Sequence, residues 1–294
     1  MSKYFLFSFL FSLFSSFSFS QLPDTDIWLL DISDSAGQIK LSNPQNITKR
    51  KGYDNQPAFS PDGKYILFTS VRDSSQQADI YKYDLKTKQT TQFTKTATSE
   101  YSPTFMPDGK NISVVMVEKD SAQRLWKFPI KGGAPSCIME NVDSVGYHCW
   151  YNKNTLGIFI LTNPFTLQIV NTKSQRPFIV ADSIGRCIKM TSYNSIMCFT
   201  VKTKEDKNQF AQFILPGYGT SKLNLIIEGE DYTIYDYYKM NIVYSFGTKL
   251  FLANIGENNS KKEINDFSFL GIKNIARIAI SADGKKMAIV CTTN

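Results

Sequence analysis

Three times along the chain an apolar run breaks at a short polar turn and resumes as a strongly β-forming run. The first copy reads Pro57-Ala58-Phe59, then Ser60-Pro61-Asp62-Gly63-Lys64, then Tyr65-Ile66-Leu67-Phe68. The turn returns as Met106-Pro107-Asp108-Gly109-Lys110 and as Ser281-Ala282-Asp283-Gly284-Lys285. Asp-Gly between alternating apolar runs predicts a hairpin, because glycine takes a positive φ without steric cost and aspartate bonds to the nearby backbone.

The large residue before the turn marks a phase. Phe59, Phe105, Trp150, Met190, Tyr235 and Ile280 stand 46, 45, 40, 45 and 45 residues apart, a period of one four-stranded propeller blade. An apolar or aromatic residue recurs nine positions later, at Phe68, Val114, Phe159, Phe199, Tyr244 and Ile289. The middle three copies keep the spacing and lose the Asp-Gly. A third alternating strand follows five of the six hairpins, as in Asp79-Ile80-Tyr81-Lys82-Tyr83-Asp84 and Arg124-Leu125-Trp126-Lys127-Phe128. The sixth third strand is found at the other end of the chain, where Asp26-Ile27-Trp28-Leu29-Leu30-Asp31 repeats the Asp-Ile-aromatic pattern. The expectation is an all-β, six-bladed propeller of four-stranded antiparallel blades over residues 21–294. Its N-terminal strands complete the C-terminal blade, so that no long edge stays open.

The unit from Asn55 to Ser70, followed by Asp79-Ile80-Tyr81, resembles the repeat of the TolB β-propeller family, sometimes described as WD-repeat-like, and Ser102 to Lys110 is nearly as good a copy. Copies three to five match in phase only. The resemblance implies a six-bladed propeller in the bacterial envelope that acts by binding other proteins. The α/β domain that precedes the propeller in the Tol-system member has no counterpart in this sequence, so a Tol-system role is not carried over.

Residues 1–20 differ from the rest: Lys3 gives a positive start, Phe5 to Phe14 is apolar and laced with serine, and Ser18-Phe19-Ser20 offers small residues before Gln21. This pattern reads as a secretory signal peptide, which predicts a periplasmic or secreted mature chain. The whole sequence is 42% hydrophobic and 14% aromatic, enough for a packed core, and no linker interrupts the repeat. The net charge of +7 is scattered. Its densest cluster, Lys49-Arg50-Lys51, lies in a connecting loop, so nucleic acid is not an expected partner. Five cysteines at irregular spacing read as buried small hydrophobes, with a bridge between Cys187 and Cys198 as the alternative.

Catalytic signatures are absent from the sequence. There is no Gly-x-Ser-x-Gly elbow, a single histidine (His148), no Cys-x-x-Cys, and no Asp-x-Asp-x-Asp-Gly loop, although Asp24 or Asp26 could face a calcium ion. Asp62, Asp108 and Asp283 read as turn residues. The expectation is a non-enzyme without cofactor or metal, monomeric, that binds an envelope protein or peptide. A glycan-binding propeller is the alternative, and an enzyme of unrecognised type the third reading. Trp28, Trp126 and Trp150 fall on core positions of the repeat.

In a propeller the first strand of each blade lines the central channel, and its opening residues lie three or four before the marker. Those positions are Asn55 and Gln56, Tyr101 and Ser102, Tyr147 with His148 beside it, Arg186, Tyr232, and Arg277. Aromatic faces with two guanidinium groups suit a carboxylate-bearing or peptide ligand.

Overall fold

The computed structural model describes residues 22–35, 38–72, 76–191, 195–205, 207–215, 219–227, 235–239, 241–254 and 260–292. Two strands come first, β1 (Asp26–Ser35) and β2 (Gln38–Asn46). Blade one follows as β3 (Asp54–Phe59), β4 (Tyr65–Val71), β5 (Ala78–Asp84) and β6 (Thr90–Gln92), and blade two as β7 (Ser99–Phe105), β8 (Asn111–Val117), β9 (Gln123–Pro129) and β10 (Ser136–Cys137). Blade three comprises β11 (Val145–Trp150), β12 (Thr155–Ile160), β13 (Thr166–Asn171) and β14 (Phe178–Asp182). Blade four comprises β15 (Ile184–Met190), β16 (Ile196–Lys202), β17 (Asn208–Ile214) and β18 (Thr220–Ile227), and blade five β19 (Tyr235–Tyr238), β20 (Asn241–Phe246), β21 (Lys249–Asn254) and β22 (Lys261–Asp266). Blade six takes β23 (Asn274–Ile280) and β24 (Lys286–Thr292) from the C-terminal end and β1 and β2 from the N-terminal end, in the order β2-β1-β24-β23.

The six sheets form a ring in chain order, with each inner strand beside the next and β23 beside β3. Closure is as expected: Ile27 pairs with Val290 and Leu30 with Met287 in an antiparallel ladder. Ile27, Leu30, Met287 and Val290 are all buried. The joint therefore rests on packed apolar surface as well as on backbone bonds.

The second strand of each blade is covered on both faces by neighbouring blades, which explains its unbroken apolar run. Ile66, Leu67 and Phe68 are completely buried in succession, each contributing about 1.5–3 kcal/mol of transfer free energy. Phe68 lies beside Tyr81 of the third strand, and Tyr244 stacks on Phe251 in blade five, so the recurring aromatics pair across neighbouring strands. Outer strands, by contrast, carry exposed residues, as in β6 and β14.

The Asp-Gly turns have one construction. Gly63, Gly109 and Gly284 adopt φ of 67°, 66° and 68°, and their N–H groups donate to Ser60, Met106 and Ser281. Asp62 Oδ1 accepts from the Lys64 N–H at 3.2 Å, Asp108 Oδ1 from Lys110 at 2.8 Å, and Asp283 Oδ1 from Lys285 at 3.0 Å. At the first and third turns the Ser60 and Ser281 hydroxyls, with these backbone contacts beside them, hold Asp62 and Asp283 below the usual carboxylate range; at Asp108 partial burial raises the pKa, and the Asn111 side chain and the backbone contacts outweigh it. They are turn residues, as the spacing suggests.

All five cysteines are free thiols. Cys187 and Cys198 do not bridge. The Cys187 thiol donates to the Tyr235 carbonyl, and the Tyr235 hydroxyl donates to the Cys198 carbonyl at 2.6 Å, so tyrosine rather than a disulfide ties this part of the core. Among the described residues no helix is long and apolar enough to cross a membrane.

Candidate functional site

Five of the six inner strands break register where they reach the axis, between Asn55 and Ala58, Tyr101 and Thr104, Val145 and Tyr147, Ile184 and Ile188, and Ile275 and Arg277. Bulges of this kind re-aim a side chain and bend a strand. At two of them a non-glycine residue is held in the left-handed region, Gln56 at φ 57° and Ser102 at φ 55°. The strain is stabilised between the blades, since Gln56 Oε1 accepts the Ser102 N–H at 2.7 Å and the Thr69 hydroxyl at 2.8 Å.

The result is a cup of about 400 Å³ in the channel. Its rim carries Pro61 and Ala282, which belong to the Asp-Gly turns, and its wall includes Phe59, Phe105 and Ile280. Deeper in stand Gln56, Ser102, Tyr147, His148, Arg186 and Arg277. Arg277 of blade six reaches Tyr147 of the opposite blade three. Its Nη2 donates to the tyrosine hydroxyl at 2.7 Å, and its guanidinium carbon lies 4.8 Å from the ring centre. This pair bars the axis. Burial lowers the guanidinium pKa, but Tyr147 and Tyr53 more than offset this, leaving Arg277 above its usual value and charged. Tyr53 itself lines a separate recess at the other end of β3.

Lys189 and Asp236 occupy the next station toward the rim, on neighbouring blades four and five, 3.2 Å apart. Asp236 Oδ2 also accepts the Ile280 N–H at 2.9 Å, and Oδ1 the Tyr237 N–H at 2.8 Å. Burial pulls the Lys189 pKa down, and the Asp236 carboxylate reverses this, leaving it above the ordinary lysine value. The described lining therefore holds three cations, Arg186, Lys189 and Arg277, against one carboxylate.

His148 is enclosed, and burial pushes its pKa down to about 3, so the imidazole is neutral. Burial pushes the Cys149 thiol up to about 12 and raises Cys187 as well. Neither supplies a thiolate near neutrality. Among the described residues no group of three or more His, Cys, Asp or Glu side chains could hold a metal.

No protein-family model matches the chain, and no curated protein sequence matches it. Solved structures do. A structure provisionally named TolB from Agrobacterium tumefaciens aligns over 91% of this chain and 98% of its own, at 13% identity and a TM-score of 0.70. The propeller is TolB-like. A chain of the nidogen–laminin complex aligns over 92% of this chain and 99% of its own at 10% identity and a TM-score of 0.62. An oligogalacturonate lyase solved with manganese aligns over 87% of this chain and 82% of its own at 11% identity and a TM-score of 0.59. At these identities the likeness is one of fold.

Within this TolB-like ring the structure brings together six of the nine sequence-derived candidates: Gln56, Ser102, Tyr147, His148, Arg186 and Arg277. They lie deep in the cup, below its rim. Asn55 is turned away from the cavity and buried, its side-chain oxygen accepting the Gln56 N–H at 2.7 Å. Tyr101 packs beside Tyr53 in an apolar cluster between blades. Tyr232 lies outside the described residues, and the phase assigned to its blade is displaced. Tyr237 pairs with Ile242, two before Tyr244, just as Phe59 pairs with Ile66, two before Phe68. The structural marker of blade five is therefore Tyr237, not Tyr235, and Asp236 holds the channel position occupied by Ala58 in blade one. Lys189 and Asp236 are the site residues that sequence reasoning missed. The residue immediately before each marker, read in register, would have found both.

Proposed function

We propose that this chain is an exported, non-catalytic propeller of the bacterial cell envelope that binds a protein or peptide segment in the cup. The observation that carries this reading is the chemistry of the lining: charges that are fixed near neutrality, surrounded by apolar residues at an open mouth. Its imidazole and thiols are neutral, which leaves little for proton transfer or nucleophilic attack and much for recognition. The TolB-like fold and the nidogen–laminin neighbour support a binding role, and the leader-like residues 1–20 support export. A glycan would call for an open aromatic platform. The Tyr147 ring is covered by Arg277, and Trp150 is 8% exposed.

The test is a photo-crosslinking residue placed at Ala282 on the rim, exposed to an envelope extract, with adducts identified by mass spectrometry. A single dominant protein adduct that disappears when Ala58→Trp fills the cup is the expected result. Adducts unchanged by Ala58→Trp would place binding elsewhere on the ring. Turnover of a carbohydrate or peptide by the purified chain, abolished by the same substitution, would overturn the non-catalytic reading.

A further inference from the structure

The two ends of the ring differ in what they show to solvent. Asp-Gly turns supply the rim of the cup. At the far end lie the turns between the second and third strands of the blades and the connections from one blade to the next. Seven large hydrophobic side chains are exposed among the described residues, and four of them belong to the far end: Phe269 at 71%, Phe246 at 54%, Leu161 at 39% and Leu22 at 36%. The other three, Phe178, Ile179 and Ile226, are on the outer strands β14 and β18. None is on an Asp-Gly turn.

The two phenylalanines are mounted so that they project. The Thr248 carbonyl accepts the Phe267 N–H at 3.0 Å, and the Gly247 carbonyl accepts the Ile275 N–H at 2.9 Å. The β20–β21 turn beside Phe246 is thus fastened to the β22–β23 connection that carries Phe269. The Phe269 ring stacks on Phe267 with 6.4 Å between centres, and Phe267 is fully enclosed. A buried ring therefore holds an exposed one in place. Leaving both rings in water forgoes the transfer free energy of burying them, and exposed apolar surface gathered at one end of a molecule marks an interaction site.

Three observations say what covers this end. Leu161 stands on blade three, the phenylalanines on blade five and its link to blade six, and Leu22 where blade six meets blade one. Points on different sides of the axis define a plane, so the partner that touches all of them is broad and flat. Leu22 also follows directly on the leader-like residues 1–20, so the part of the chain addressed to a membrane joins the ring at this end. Finally, Lys51, which lines one recess with Leu22, and Lys273, four residues beyond Phe269, are exposed and have no carboxylate partner among the described residues. The acids nearest them are already engaged: Asp24 accepts the Gly52 N–H, and Asp266 accepts the Thr248 hydroxyl and the Ser268 N–H.

We propose that the end of the ring opposite the cup seats on a phospholipid bilayer, with Phe246 and Phe269 inserted at the boundary of headgroups and acyl chains and Lys51 and Lys273 at the lipid phosphates. Leu161 and Leu22 level the contact. Two projecting rings and a few lysines give a reversible interfacial attachment, not a span. Seated in this way, the ring opens its cup away from the bilayer. The attachment is independent of what the cup binds.

The experiment is flotation of the mature chain beginning at Gln21, which lacks the leader, with vesicles of phosphatidylethanolamine and phosphatidylglycerol. The protein should float with the vesicles. Phe246→Ser together with Phe269→Ser should lower the partition coefficient at least about tenfold with the melting temperature unchanged, because both rings are exposed in the free protein. Lys51→Glu together with Lys273→Glu should lower it about tenfold as well. Phe178→Ser together with Ile179→Ser removes exposed apolar side chains from β14, away from this end, and should leave the partition unchanged. Flotation that the Phe246 and Phe269 pair does not alter, or that the β14 pair lowers equally, would overturn the far end as the seat. An unaltered protein that stays at the bottom of the gradient would overturn the bilayer as its partner. The Ala282 crosslink is made at the opposite end of the ring, so its result is read separately from this one.

Discussion

Arg277 and Tyr147 meet across the axis of the ring, Nη2 to hydroxyl at 2.7 Å, from blades that have no other reason to touch. The contact turns an open channel into a cup. Tyr147→Phe removes the acceptor and leaves one guanidinium N–H unpaired in a confined space. It should cost about 1–3 kcal/mol in urea unfolding. In a double-mutant cycle with Arg277→Gln the coupling should be about 0.5–3 kcal/mol. Additive single effects would show that the two residues do not act as a unit.

Lys189 and Asp236 form a partly enclosed ion pair, with side chains 33% and 15% exposed. Asp236→Asn removes the charge that holds Lys189 above its usual pKa and weakens two backbone contacts. Removing one partner of a fully buried pair costs about 3–5 kcal/mol. With solvent reaching both groups here, we expect about 1–2 kcal/mol. The companion Lys189→Met leaves Asp236 with its two N–H donors and should cost less. The comparison is made on urea midpoints.

Glu100 in β7 is completely buried, with hydroxyl groups of Thr94, Thr96 and Thr98 around its carboxyl. Burial raises its pKa from 4.5 to about 7, against the opposing pull of the Thr96 and Thr94 hydrogen bonds. The folded state therefore holds the proton more tightly than the unfolded chain. The stability this contributes is fully present below about pH 4.5 and is lost as pH rises through about 7, a change on the order of 3 kcal/mol. Unfolding free energies measured between pH 4.5 and 8 should show a fall that Glu100→Gln abolishes.

Export is checked at the other end of the chain. If Met1 to Ser20 is a signal peptide, the mature protein begins at or near Gln21, and N-terminal sequencing of the exported material reads from there. Intact Met1 on a cytoplasmic protein contradicts it.

Closure through β1 gives a further measurement. Ile27→Ala opens a cavity at a completely buried site of the joint and should cost about 2–5 kcal/mol. Removing Gln21 to Ser33 should expose the edge of β24 and cause aggregation. A soluble deletion protein with an unchanged melting profile would exclude this joint.

The repeat made the ring legible because Asp-Gly turns and paired aromatics answer to local chemistry. Ser60 to Lys64 builds its turn from its own side chains, and Phe68 finds Tyr81 on the adjacent strand. What the period could not carry was local change of length. The blade-five hairpin is short, since Tyr237 pairs with a residue only five positions on, Ile242, where Phe59 pairs with Ile66, seven positions on. A fixed count from Tyr235 therefore led to Tyr232 and passed over Asp236. Asn55 and Tyr101 fail for another reason: the bulges at Gln56 and Ser102 decide which side chain faces the axis, and a left-handed glutamine or serine carries no sequence signature. Lys189 and Asp236 stand on separate blades, 47 residues apart. Their pairing follows from ring geometry alone.

The residue that bars the channel comes from the blade assembled out of both chain ends. Five blades can fold as the chain emerges, but Arg277 reaches Tyr147 only after β24 has found β1. On the binding reading proposed above, occupancy of the cup would report that the circle is shut: an incompletely closed ring would present an unobstructed bore instead of a receptor, and a partner that needs the cup would pass it by.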